Sequence, residues 1–263
     1  MICAFIMQEG FGAVARVRCH EAAFELAVRL GGPLPFHKFP RTEHLVDLGA
    51  ATSDDLIHAQ NPNGMLHGDL AVEEKVDGGC MGISLASDLS ILVQNRSRYI
   101  TSKTHAQFVR LGAWIGAHQE ALLDLLNRDG QMPERFMLFG EWVAATHAIY
   151  YTGLPDRFLA FDLYDRFKDK FVSRTALTAL LKNTGIQQVP LMLACSGSVK
   201  IADLCQMTNE QSAFRDGPVE GVCVRIQADG KTQHRFKIVR ADFAPGNSEW
   251  GKHTTMNEVR EPP

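Results

Sequence analysis

The sequence predicts an α+β fold built on antiparallel β-sheets flanked by helices. Three observations carry this expectation. Strand-like segments outnumber helical ones. Successive strands are separated by short turns rich in Gly and Asp, Asp229-Gly230 being the strongest hairpin signal. Strands and helices do not alternate as they do in doubly wound parallel sheets. Neither G-x-G-x-x-G after a strand nor G-x-x-x-x-G-K-[ST] occurs, so the two commonest nucleotide-loop fingerprints are absent.

The elements follow in order. Residues 20–30 carry Ala22, Ala23, Leu26, Ala27 and Leu30 on one stripe, a short helix stopped by Gly31-Gly32-Pro33. The loop FHKFPRTEHL occupies 36–45. Segments 70–76, 81–86 and 90–94 read as strands. Residues 106–127 give the best helix, with Phe108, Leu111, Trp114, Ile115, Leu122, Leu125 and Leu126 on its apolar face. Strands are expected at 135–143 and 157–164, helices at 174–183 and 199–206, and a closing hairpin at 219–226 and 233–239.

Composition bounds the rest. The 263 residues, 45% hydrophobic and 22% charged, suit an ordinary globule that hides roughly three quarters of its unfolded surface. Lys and Arg number 27 against 30 Asp and Glu, a formal charge of −3. That excludes a coat of positive charge, though not a local basic face. Two basic stretches stand out: Arg96, Arg98, Lys103 and Arg110, with no acid among them, and the region from Arg225 to Lys252. Cys3, Cys19, Cys80, Cys195, Cys205 and Cys223 show no metal-ligand spacing and read as reduced, mostly buried thiols. The N-terminus lacks the basic flank of a signal peptide, and no apolar run reaches membrane-spanning length. A soluble intracellular protein, cytoplasmic or in a similar compartment, is expected.

Chemistry concentrates at EEKVDGGCMGISL, residues 73–85. A lysine ends one strand, an Asp-Gly turn follows, and a second strand begins at once. A lysine can act as a nucleophile when its surroundings let it lose its proton. K-x-D-G alone is weak, arising by chance in about one chain in twenty of this length. Its company in the chain is stronger: Arg96, Phe139-Gly140-Glu141-Trp142, Phe158-Leu159-Ala160-Phe161-Asp162, Glu220-Gly221-Val222 and Arg235-Phe236-Lys237.

In that order these segments resemble the motifs of the covalent nucleotidyltransferases, the superfamily of ATP-dependent RNA ligases, DNA ligases and messenger-RNA capping enzymes. F-G-E replaces the D-G-E usual in DNA ligases. Lys38-Phe39-Pro40-Arg41-Thr42 is similar to a K-[FY]-P-R-T stretch of small RNA-ligase-like proteins. The T4 RNA ligase 2-like branch therefore fits best. The chain ends soon after the last motif, so no OB domain is expected. The resemblance implies a single nucleotidyltransferase (adenylation) domain around a nucleotide pocket, with a helical extension at 1–35, a catalytic core at 36–243 and a tail at 244–263.

The resemblance also implies roles. Lys75 is the nucleophile toward ATP, forming lysyl-AMP, from which AMP passes to an RNA 5′-phosphate before a 3′-hydroxyl displaces it. Lys237 and Arg235 are the candidates to hold the α-phosphate, Lys237 being favoured and Arg240 a third. Glu74, Lys75, Asp77, Gly78, Arg96, Glu141, Phe161, Glu220 and Lys237 form the nucleotide site. Phe161 stacks on adenine, Glu74 reads its edge, Glu141 contacts ribose, and Glu220 is the ligand for Mg²⁺ or Mn²⁺. Lys38, Arg41, Arg98 and Arg240 are candidate RNA contacts. The implied partners are ATP and RNA ends, with no membrane and a monomeric state. A polynucleotide ligase acting on DNA, a capping-type guanylyltransferase preferring GTP and a non-catalytic RNA-end-binding relative are the alternatives.

Overall fold

The computed structural model describes residues 34, 36–58, 61, 63–243 and 254–260. The helix expected at 20–30, Cys3, Cys19 and most of the 1–35 extension lie outside the described residues. Two five-stranded sheets carry the fold, antiparallel except at one edge.

The first sheet has the order β1-β10-β9-β2-β8. Its strands are β1 (Glu43–His44), β2 (Met65–Lys75), β8 (Leu191–Lys200), β9 (Gly221–Ala228) and β10 (Lys231–Val239), with β1 parallel to β10. The second has the order β4-β3-β5-β6-β7. It comprises β3 (Gly79–Leu85), β4 (Ile91–Gln94), β5 (Phe136–Trp142), β6 (Phe158–Asp165) and β7 (Lys170–Phe171). The β9–β10 hairpin closes at Asp229-Gly230, both at positive φ (51° and 70°), the conformation that this dipeptide favours.

Helix α1 (Leu111–Leu126) lies on the second sheet, where Trp114, Leu122 and Leu126 join Met81, Ile83, Leu138 and Phe158 in the largest core cluster. The continuous helix expected at 106–127 is broken. The side chain of His105 captures the Gln107 N–H and caps a single 3₁₀ turn at Ala106–Phe108 before α1 begins. The break seats Phe108 beside Trp142 (6.4 Å between centroids) while Trp114 packs on Phe158 (5.0 Å). Helix α2 (Arg174–Leu181) is capped by Ser173, whose side chain accepts from Ala176 N.

Helix α3 (Ile201–Gln206) begins two residues later than expected, because Val199 and Lys200 end β8. Strand β8 was not anticipated. Its LMLACSGSVK sequence is an edge strand with no fully buried position, so it lacks the apolar alternation that marks β2 or β9. Ile201 and Leu204 pack with Leu70, Val72, Val222, Val224, Phe236 and Ile238 in a second core cluster.

Alternation along the first sheet explains where a site can form. The apolar side chains of β2, β9 and β10 fill the second cluster. The intervening Glu73, Lys75, Cys223, Arg225, Arg235 and Lys237 line a cavity completed by Cys80, Glu141 and Phe161 of the second sheet and by connecting segments such as Phe39–Pro40 and Arg96. No helix among the described residues is long and apolar enough to cross a membrane.

Candidate active site

Lys75 is the last residue of β2, and Val76-Asp77-Gly78 turns directly into β3. The turn is clamped from outside. The Asp77 carboxylate accepts from Ala148 N (2.6 Å) and Ile149 N (2.7 Å), and Asp77 N donates to the Tyr151 hydroxyl (2.8 Å). Gly78 is required by close approach, since a Cβ there would lie 2.7 Å from Trp142 O. The 143–154 segment is fastened in turn by Asn257, whose Oδ1 accepts from Thr146 Oγ1 and Tyr151 N and whose Nδ2 donates to Val143 O, each at 2.9 Å.

Lys75 Nζ pairs with Glu220 Oε1 at 2.5 Å. Burial by itself lowers the lysine pKa. The charges of Glu220, Cys223 and Glu141 and the hydrogen bond outweigh burial and hold the amine above its ordinary value. Glu141 is pushed up to about 8 by burial, with Lys75 opposing and Glu220 and Asp77 adding to the rise. Glu220 is also raised by burial, against the pull of Lys75. Three ionisable groups thus share a small, poorly solvated space, an arrangement characteristic of functional sites.

The cavity is about 370 Å³. Phe161 and Val189 supply apolar wall, Glu141 and Lys75 ionisable groups, and Arg96 with Lys237 cationic charge. Glu74 also reaches it, though its oxygens accept from Ser212 Oγ (2.6 Å) and Ala213 N (3.0 Å), and burial raises its pKa against those bonds. A smaller cavity of about 220 Å³ shares Thr42, Arg96 and Lys237 and adds Arg41 and Asp55.

A buried ionic chain lies beside these groups. Arg225 bonds Glu73 Oε2 through Nε and Asp162 Oδ1 through Nη1, both at 2.6 Å, and donates to Phe161 O at 2.9 Å. Arg174 holds the other Glu73 oxygen (2.7 Å) and Arg235 the other Asp162 oxygen (2.6 Å). Because Glu73, Arg225 and Arg235 belong to one sheet and Asp162 to the other, the chain ties the sheets together. Arg235 also stacks over Phe39 (4.8 Å) and Phe171 (4.6 Å).

The structure therefore brings Glu74, Lys75, Gly78, Arg96, Glu141, Phe161, Arg235 and Lys237 to one cavity, with Glu220 against Lys75. Asp77 does not line it and instead anchors the turn. Arg235 is engaged by Asp162, whereas Lys237 pairs with Asp55 at 2.6 Å. Arg41 donates to Asp54 O at the rim, Arg240 pairs with Asp242 (2.9 Å), and Lys38 and Arg98 are exposed and do not line the cavity. Sequence reasoning missed Glu73, Arg225, Phe39 and Asp55. An arginine at 225 alternating with Val222 and Val224 was a signal; the loop residue Asp55 offered none.

A divalent cation fits this donor set. Among the described residues no cluster of three His, Cys, Asp or Glu side chains could hold a metal unaided. The Glu220 Oε2 atom is nevertheless buried without a hydrogen-bond partner among them. One or two carboxylates plus ligand phosphates and water is the usual donor set for Mg²⁺.

The model of the RNA ligase family matches residues 68–239. No curated protein matches. Among solved structures, a mutant Naegleria gruberi RNA ligase with ATP and Mn superposes with a TM-score of 0.50 at 16% identity, over 81% of this chain and 64% of that one. Another mutant of that ligase, with AMP and Mn, gives 0.49 at 17% identity with the same coverage. The chain thus spans 64% of the length of those proteins, and at 16% identity the first likeness is one of fold.

Proposed function

The chain belongs to the RNA ligase family, and from that premise we propose that it joins RNA 5′-phosphate and 3′-hydroxyl ends with ATP through a lysyl-AMP intermediate. The observation that carries this reading is Lys75. It ends a strand at the cavity, paired with Glu220 at 2.5 Å, with Glu141, Arg96 and Lys237 arrayed around the same space. Within the family, F-G-E at 139–141 and K-F-P-R-T at 38–42 favour the T4 RNA ligase 2-like branch.

In the first step the lone pair of Lys75 Nζ attacks the α-phosphorus of ATP. A P–N bond forms, the bond to the bridging oxygen breaks and pyrophosphate leaves, while the protons shed by Nζ pass to water. The Lys237 and Arg96 cations offset charge on the phosphates. Glu220, in contact with Nζ, holds the proton on Lys75, so neutralising that carboxylate favours the reactive amine. A Mg²⁺ or Mn²⁺ ion, which Glu220 would hold, would supply that neutralisation and screen the phosphates when bound, while Glu141 contacts the ribose. The adenylate then passes to an RNA 5′-phosphate oxygen, restoring the Lys75 amine, and a 3′-hydroxyl displaces AMP to form the phosphodiester.

Phe161 offers an aromatic face to the base, and Glu74 lies where the base edge enters. The described elements act as one catalytic unit in a soluble monomer, and RNA contacts fall on the basic rim near Arg41 and Arg96.

Incubation with 5′-phosphorylated nicked or stem-loop RNA, ATP and Mg²⁺ or Mn²⁺ tests the proposal. Joined RNA with ATP, and not with GTP or NAD, supports it. Joining of DNA alone points to a polynucleotide ligase, use of GTP alone to capping chemistry, and binding without joining to a non-catalytic relative.

A further inference from the structure

Lys237 does not enter the cavity as a free side chain. Its Nζ donates to Asp55 Oδ1 at 2.6 Å, and this pair stands where the two cavities share a wall. Asp55 comes from a loop far away in sequence and is itself held. Its Oδ2 accepts from Thr52 N (3.0 Å) and Thr52 Oγ1 (2.9 Å). Behind it, His44 Nε2 lies 3.5 Å from Oδ1.

His44 is 1% exposed and is fixed on both sides. It is the register partner of Lys237 in the β1–β10 pair, and its backbone bonds Leu56 O and His58 N at 2.7 Å. The loop that carries Asp55 is therefore stitched to the strand beside Lys237. Burial, followed by the Lys237 charge, lowers the His44 pKa, so the imidazole stays neutral and leaves the Asp55 charge to Lys237. Burial works against ionisation of Asp55, but the bonds from Lys237 and Thr52 overcome it and hold the carboxyl well below its usual range.

An ammonium group has three donors on a flexible four-carbon stem. A fixed carboxylate that takes one donor restricts the stem and leaves two for phosphate oxygens. We infer that Asp55, backed by His44 and Thr52, is a positioning residue that aims Lys237 at the phosphates of the nucleotide. It acts through Lys237 and touches no substrate. The inference rests on the proposed adenylylation, because Lys237 has phosphates to meet only in that reaction.

The full-length chain and its Asp55→Asn and Asp55→Glu variants test this with ATP and Mg²⁺. In single turnover, Asp55→Asn is expected to slow covalent adenylylation at saturating ATP by at least about tenfold, a modest cost for a misplaced charge-stabilising group. ATP affinity should stay equal or tighten, since a negative charge near the phosphates has gone. Asp55→Glu should recover part of the rate. An unchanged rate, or a loss of affinity that accounts for the whole rate loss, overturns the inference.

A second measurement reads the pair without any turnover. Acylation of Lys237 by an amine-directed reagent, followed by mass spectrometry, should run at least about threefold faster in Asp55→Asn, because the carboxylate that holds the side chain in place is removed. Equal rates overturn the pairing. A wild-type chain that takes no adenylate from ATP would instead count against the proposed function, and the acylation result would still decide whether Asp55 holds Lys237.

Discussion

Lys75 and Glu220 are held 2.5 Å apart by strand register, because Lys75 pairs with Gly221 in the β2–β9 ladder and Glu220 immediately precedes β9. Their contact is thus a property of the sheet rather than of two mobile loops. It spans 145 residues of sequence, and Gly221, the register partner of Lys75, lies in close approach to β10.

That approach makes the first prediction. A Cβ at Gly221 would collide with the backbone oxygen of Ile238. Gly221→Ala should destabilise the fold by about 2 kcal/mol or more, the scale of overpacking and backbone displacement. Gly112→Ala is the contrasting exchange, because nothing lies within 4 Å of its Cβ position on α1. It should stabilise by about 0.5–1 kcal/mol. Thermal unfolding of both variants checks the pair.

Arg225 joins Glu73 to Asp162 across the two sheets and is 2% exposed. Arg225→Met leaves two buried carboxylates short of a partner. A loss of about 3–5 kcal/mol is expected, as for other broken buried pairs. Denaturant titration reads the loss, and retained stability would show that Arg174 and Arg235 suffice for the two acids.

Glu141 gives a pH prediction. Burial, partly offset by Lys75, raises its carboxyl from 4.5 to about 8. Below the lower value it is neutral folded and unfolded, so its charge contributes nothing. Between the two values the unfolded chain ionises first, and stability falls as pH rises until the cost is complete above the folded pKa. Glu141→Gln should therefore leave the melting temperature unchanged near pH 4 and raise it near pH 9, by about 2–4 °C for each kcal/mol regained. An equal shift at both pH values contradicts the assignment.

Asn257 predicts a remote effect on the lysine turn. Its three side-chain bonds secure 143–154, the segment whose Ala148 and Ile149 amides hold Asp77. Asn257→Ala should cost about 1–3 kcal/mol, the range for stranded buried polar groups. Hydrogen exchange at Ala148 and Ile149 should quicken selectively, and uniform exchange across the chain would refute the link.

Much of this arrangement was legible in the sequence where a motif and a strand coincide. Lys75, Glu141 and Phe161 each lie on or at the end of a strand expected from alternation, and their meeting follows once β2, β5 and β6 pair as they do. Asp77 was legible as a residue but not in its orientation. Nothing in K-x-D-G tells whether its carboxylate faces a ligand or the Ala148 amide. Strand β8 was hidden because an exposed edge needs no apolar face. Asp55 was hidden because its partner lies 182 residues away and only tertiary pairing brings Lys237 to it.

Lys75 is the proposed nucleophile. The most direct measurement is peptide mapping by mass spectrometry after incubation of the protein with ATP and Mg²⁺. An acid-labile AMP adduct is expected on the peptide carrying Lys75 and is expected to be absent from Lys75→Ala. An adduct on another residue, an adduct that persists in Lys75→Ala, or none on the wild-type chain would contradict it.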